Sequence, residues 1–198
     1  LPLWHYPPQA AGVGYGQGVR DIIEWMGYIG PSKWTKQYGW LDPDFLMTLF
    51  LDEWSGNWEP MTYTDSRTEF SFWALWASPL VFASDPRNMT EEKMAILMNK
   101  EVIAVNQDNL FVGGDRIYNA TDGTQAWSKP LLNGDVAVIL YNRGTDADGT
   151  KTEGCKNVTI AWEDLGWRGD DGTYSIRDLW AHADVEPSDP TTGHTACV

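Results

Sequence analysis

Along the first half of the chain, apolar residues recur at helical intervals and are interrupted by Gly, Pro and Asp. Residues 1–17, rich in Pro and Gly, read as loop. Residues 18–29 (GVRDIIEWMGYI) put Val19, Ile22, Ile23 and Met26 on one helical face, with Gly30-Pro31 as the stop. QYGWLDPDFLMTLF then reads as a strand running into a loop, and residues 51–64 as a polar, aromatic-rich loop long enough to serve a function. Asp65 to Glu69 opens a second helix, with Ser66 and Glu69 in capping-box register. The FSFWALWAS that follows is apolar on nearly all sides, which predicts burial on nearly all sides. PLVFAS (79–84) reads as a short buried strand. Thr90 caps EEKMAILMN, and EVIAVNQD follows closely. Helix and strand alternate across 18–105, the pattern of α/β units with a parallel sheet.

Past residue 108 the period changes. DRIYNA, TQAWSKPL, GDVAVILYNR, CKNVTIAWEDL and YSIRDLWAH are short β-type runs between Gly, Asn and Asp turns, as in an antiparallel sandwich. The pattern divides the chain into an α/β part, 1–108, and an all-β part, 109–198.

Composition narrows the function classes. The 198 residues are 42% apolar, enough for a core, and carry a net charge of −14. Such a surface repels phosphate backbones and anionic membranes, which argues against nucleic acid as a partner. No apolar run approaches the roughly 20 residues of a membrane span. The twelve tryptophans either pack cores or stack on sugar rings. Cys155 and Cys197 permit one disulfide, expected to tie the chain end to the β-rich part. Sequons at Asn88, Asn119 and Asn157 are candidate glycosylation sites, and with the cysteines they favour a secreted or acidic lumenal location. The opening LPLWHYPPQAAGVGYGQG lacks the charged and apolar regions of a signal peptide, so the chain is expected to start within a longer protein or after processing.

The best local chemistry is Trp40-Leu41-Asp42-Pro43-Asp44. On an extended backbone, Asp42 and Asp44 would project to one face, and at the C-terminal end of a barrel strand they would meet substrate. There a carboxylate could bind sugar hydroxyls or exchange protons. Asp-Pro-Asp is also good turn and N-cap chemistry with no catalysis, the reading that spacing alone favours. His5, His182 and His194 have no metal spacing, and the alternating Gly12, Gly14, Gly16 and Gly18 lack the setting of a phosphate cradle.

From Tyr38 to Asp108 the sequence resembles glycoside hydrolase family 27, the α-galactosidases and α-N-acetylgalactosaminidases. The resemblance rests on GWLDPDFL, TEFSFWALWASPLVFASDPRNMT and NKEVIAVNQD, in family order, and continues through WSKPL, GDVAVILYNRG and NVTIAWEDLGW. It implies α/β followed by all-β: the C-terminal part of a (β/α)8 TIM barrel plus an antiparallel β-sandwich. It also implies a retaining hydrolase of terminal α-galactosides with no cofactor, the rest of the barrel coming from other chain, covalently joined or separate. Asp44 and Phe45 match the residues that line the galactose pocket, with Trp40 and Asp42 beside them. Phe45 stands where the family has Met, and Leu41 where it has Asn. The Lys-x-Asp segment of the nucleophile has no match. The acid/base region falls on PPQAAGVGYG, which contains no Asp or Glu. The alternative is an inactive relative that binds carbohydrate or serves as an extracellular structural domain.

Overall fold

A computed structural model describes residues 18–49, 61–144, 154–166, 174–187, 189 and 191–198. The chain separates into two compact units, Leu1–Gly113 and Gly114–Val198. The loop readings for residues 1–17 and 51–60 lie outside the described residues.

In the first unit, α1 (Val19–Ile29) buries Ile22, Ile23 and Met26 and ends at Gly30, whose φ of 69° lets its N–H return to the Met26 carbonyl. Helix α2 (Tyr63–Leu75) begins earlier than its sequence suggests. Thr62 is the N-cap, its hydroxyl accepting from the Asp65 N–H at 3.1 Å while Asp65 bonds the Thr62 N–H in return. Tyr63 and Thr64 are therefore helical, and Ser66 and Glu69 lie inside the helix as buried residues. Phe70, Phe72, Trp73, Leu75 and the following Trp76 are each at most 1% exposed. The all-round burial expected of this helix is what its apolar surface produces. Helices α3 (Glu91–Leu97) and α4 (Lys100–Asn106) are capped by the Thr90 hydroxyl and the Asn99 carbonyl, which accept from Lys93 and from Glu101 and Val102.

Among the described residues, the strand pairing of this unit is one parallel bridge between Leu46 and Phe82 and one antiparallel bridge between Lys36 and Gly39. The Leu46 N–H donates to the Val81 carbonyl at 2.7 Å, and Ala83 N–H to Leu46 at 3.0 Å. The direction is the parallel one expected of α/β units. The buried character expected of 79–84 is not observed, because Val81 is 61% exposed and Phe82 40%. Their pairing uses one backbone edge and leaves both side chains open to solvent.

The second unit is built from antiparallel pairs. Strands β1 (Asp115–Asn119), β2 (Thr124–Pro130) and β3 (Val136–Asn142) form a meander in that order. Central β2 is buried along most of its length, with Trp127 fully enclosed and the Arg116 guanidinium 5.6 Å from its ring centroid. Strand β4 (Asn157–Ala161) pairs with β7 (Gly193–Cys197), and β5 (Ile176–Asp178) with β6 (Ala183–Val185). Cys155 and Cys197 form the expected disulfide, with Cα atoms 5.4 Å apart. Gly193 is required by its register: a Cβ there would collide with the Ile160 carbonyl oxygen.

Candidate functional site

The Asp-Pro-Asp segment folds as a turn. The Asp44 N–H donates to Asp42 Oδ1 at 3.0 Å, closing an Asx turn across Pro43. Asp44 itself lies at φ 77°, in the left-handed region, and its Oδ1 accepts the Phe45 N–H at 2.8 Å. The extended arrangement, with both carboxylates on one face, is thereby overturned, since a left-handed residue breaks the two-residue alternation. The paired residue, Leu46, comes after Asp44. Both aspartates therefore lead into the described pairing and do not stand at its C-terminal end. Asp42 is exposed, Asp44 and Phe45 are half-buried, and Trp40 is 55% exposed.

One face of α2 holds this segment. Trp73 Nε1 donates to the Asp44 carbonyl at 2.7 Å. One turn earlier, both carboxylate oxygens of Glu69 accept from the Met47 N–H, at 3.0 and 3.1 Å. A further turn back, Ser66 Oγ accepts the Leu49 N–H at 2.8 Å and donates to the Thr62 carbonyl at 2.9 Å. Behind them, Asn106 Nδ2 donates to the Trp73 and Ser78 carbonyls at 3.2 and 2.8 Å, which joins α4 to the end of α2. The S-x-x-E spacing that resembled a helix cap is thus a pair of side chains serving the neighbouring loop. A glutamate directly before the apolar run FSFWALWAS was the available signal, because burial of its carboxylate without a partner would be prohibitively costly.

The other candidates are dispersed. Asn88, Asn119 and Asn157 are all exposed. Among the described residues no group of three or more His, Cys, Asp and Glu could hold a metal. His182 occupies the β5–β6 turn, where its carbonyl accepts from Arg177, and His194 lies in β7. No described helix is long and apolar enough to cross a membrane. Of the tryptophans, Trp73, Trp76, Trp127 and Trp162 are buried, whereas Trp25, Trp34 and Trp40 are each more than half exposed. Both uses expected of tryptophan thus remain open to different members of the set.

An α/β unit with a parallel bridge, followed along the chain by a unit of antiparallel strands, is the element order of a partial (β/α)8 barrel and a C-terminal β domain. The family model described as "Alpha galactosidase A" matches residues 17–108, and "Alpha galactosidase C-terminal beta sandwich domain" matches residues 121–197. The chain belongs to glycoside hydrolase family 27. It is 40% identical to alpha-galactosidase 3 of Arabidopsis thaliana over 160 residues, which is 80% of this chain and 31% of that protein. It is 36% identical to an alpha-galactosidase of Oryza sativa, again over 160 residues, covering 81% of this chain and 33% of the relative. The crystal structure of alpha-galactosidase I from Mortierella vinacea superposes with a TM-score of 0.73 at 29% identity, covering 98% of this chain and 47% of that one. The chain spans about a third of the length of the curated relatives it matches.

Proposed function

We propose that this chain is part of a retaining glycoside hydrolase that cleaves terminal α-galactosides, with Asp44 and Phe45 lining the sugar pocket. The observation that carries the proposal is the turn at Asp44. A non-glycine residue in a left-handed conformation, fixed through its own carboxylate and its carbonyl, is typical of residues held in place for function. It lies inside the segment whose relatives are named α-galactosidases. Asp44 would accept hydrogen bonds from sugar hydroxyls, Phe45 would close the pocket wall, and Trp40 and Asp42 would flank them. Sugar C–H faces pack well on the exposed indole.

Retaining chemistry needs one carboxylate to attack the anomeric carbon and a second to protonate the leaving oxygen and then activate water. No residue of this chain is assigned either role. In this reading they belong to the rest of the barrel, contributed by chain outside this sequence. The open side chains of Val81 and Phe82 beside the parallel bridge support such a neighbour. The exposed sequons at Asn88, Asn119 and Asn157 and the disulfide support passage through the secretory pathway. Turnover of a chromogenic α-galactoside by the native full-length protein tests the function. Release of the chromophore from mildly acid to neutral pH is expected. A protein that is folded yet inert throughout that range would instead be a non-catalytic relative.

A further inference from the structure

We propose that Glu69 is a positioning residue for the sugar pocket, the central peg of a clamp by which α2 holds the Asp44–Leu49 loop in its binding conformation. This rests on the assignment of Asp44 and Phe45 to the pocket and deepens it.

Ser66, Glu69 and Trp73 are spaced three and four residues apart, so they share one face of the helix. They meet Leu49, Met47 and Asp44 respectively, each at a backbone atom. Helix and loop therefore run in opposite directions, and each helical turn engages one backbone group. Because the bonds go to the backbone, they fix the course of the loop whatever side chains it carries. The clamp is bracketed by two non-glycine residues in the left-handed region, Asp44 at φ 77° and Leu49 at φ 51°. Leucine has no side-chain oxygen with which to stabilise that conformation locally, so the surroundings must impose it. Between them Leu46, Met47 and Thr48 are at most 6% exposed, so no water is at hand to replace a lost partner.

Glu69 carries the strongest argument. It is 0% exposed, in a helix whose following residues Phe70, Phe72 and Trp73 are buried as well. A carboxylate is an unfavourable choice there unless its hydrogen bonds matter. Both of its oxygens address the single N–H of Met47. Without them that N–H is buried with no acceptor from α2, and the loop can relieve the strain at Asp44 by rotating. The carboxylate and ring presented by Asp44 and Phe45 would then move relative to the sugar. The loss would appear in substrate binding more than in the chemical step, because neither residue is assigned to bond making.

The test uses the native full-length protein and a chromogenic α-galactoside, with galactose binding followed by tryptophan fluorescence. Glu69→Ala is expected to raise KM and the galactose Kd about tenfold while kcat stays within about threefold. Glu69→Gln, which keeps one oxygen acceptor, is expected to restore most of the affinity. Ile96→Val, at a fully buried site in α3, is the stability control and should lower Tm without altering KM. If Glu69→Ala does not fold, Ser66→Ala and Trp73→Phe decide, each expected to raise KM by a smaller factor. Variants that lower Tm as the control does, yet keep the wild-type KM and Kd, would overturn the clamp and leave the α-galactosidase reading intact. A wild-type protein that neither hydrolyses the substrate nor binds galactose would sink that reading, and the clamp with it.

Discussion

Asp44 spends both its backbone and its side chain on holding one conformation. The N–H bonds Asp42, the carbonyl accepts from Trp73, and one carboxylate oxygen accepts from Phe45. Asp44→Asn preserves the oxygen facing the Phe45 N–H and removes the charge. We therefore expect an unchanged circular dichroism spectrum with KM raised roughly tenfold, as for loss of one charge-assisted hydrogen bond. A rise in Tm with no change in KM would show the residue to be only a turn former. Asp189 poses a different residue-scale question. It is exposed, and the Thr191 hydroxyl and N–H with the Thr192 N–H, all directed at Oδ1, lower its pKa to about 2. A folded-state value below the unfolded one, about 3.9, means the carboxylate favours the fold above that pH. That contribution is lost as pH falls from about 4 towards 2. Acid titration followed by circular dichroism should therefore show a shallower limb for Asp189→Ala than for wild type in that interval. Identical limbs would contradict the assignment.

At the scale of elements, signals that act within a few residues were legible in the sequence. Gly30 stops α1, and Thr90 caps α3, each through bonds spanning three or four positions. The S-x-x-E of α2 was ambiguous because a cap and a tertiary clamp place the same residue types at the same spacing. Only the loop opposite, some twenty residues away in sequence, decides between them. The Asp-Pro-Asp segment was ambiguous in the same way, and the left-handed Asp44 settles it as a turn. The pairing of β4 with β7 joins Asn157 to Cys197, a non-local register that no local pattern of residues encodes. The disulfide reinforces that pairing. Its ends are 42 residues apart, so loop-closure entropy assigns it about 4 kcal/mol of stabilisation. Replacing both cysteines by serine should lower the chemical denaturation midpoint accordingly. An unchanged midpoint would show that β4 and β7 hold together without it. Gly193→Ala should destabilise the same pair through its clash with the Ile160 carbonyl, measurable as a fall in Tm.

At the scale of the whole molecule, two units of different secondary structure each match their own family model, within one chain that covers about a third of its relatives. The change of period near residue 108 made the α/β and all-β characters readable, because helical and strand periodicities differ. The exposure of Val81 and Phe82 was not readable, since an apolar run looks the same whether or not a neighbour covers it. The central claim is that Asp44 and Phe45 face a galactose-binding hollow in the full-length protein. The most direct measurement is a crystal structure of that protein with galactose bound. The account predicts an Asp44 carboxylate oxygen within hydrogen-bonding distance of a sugar hydroxyl and the Phe45 ring against the sugar. Galactose bound elsewhere, with the Asp44 carboxylate facing bulk solvent, would contradict it.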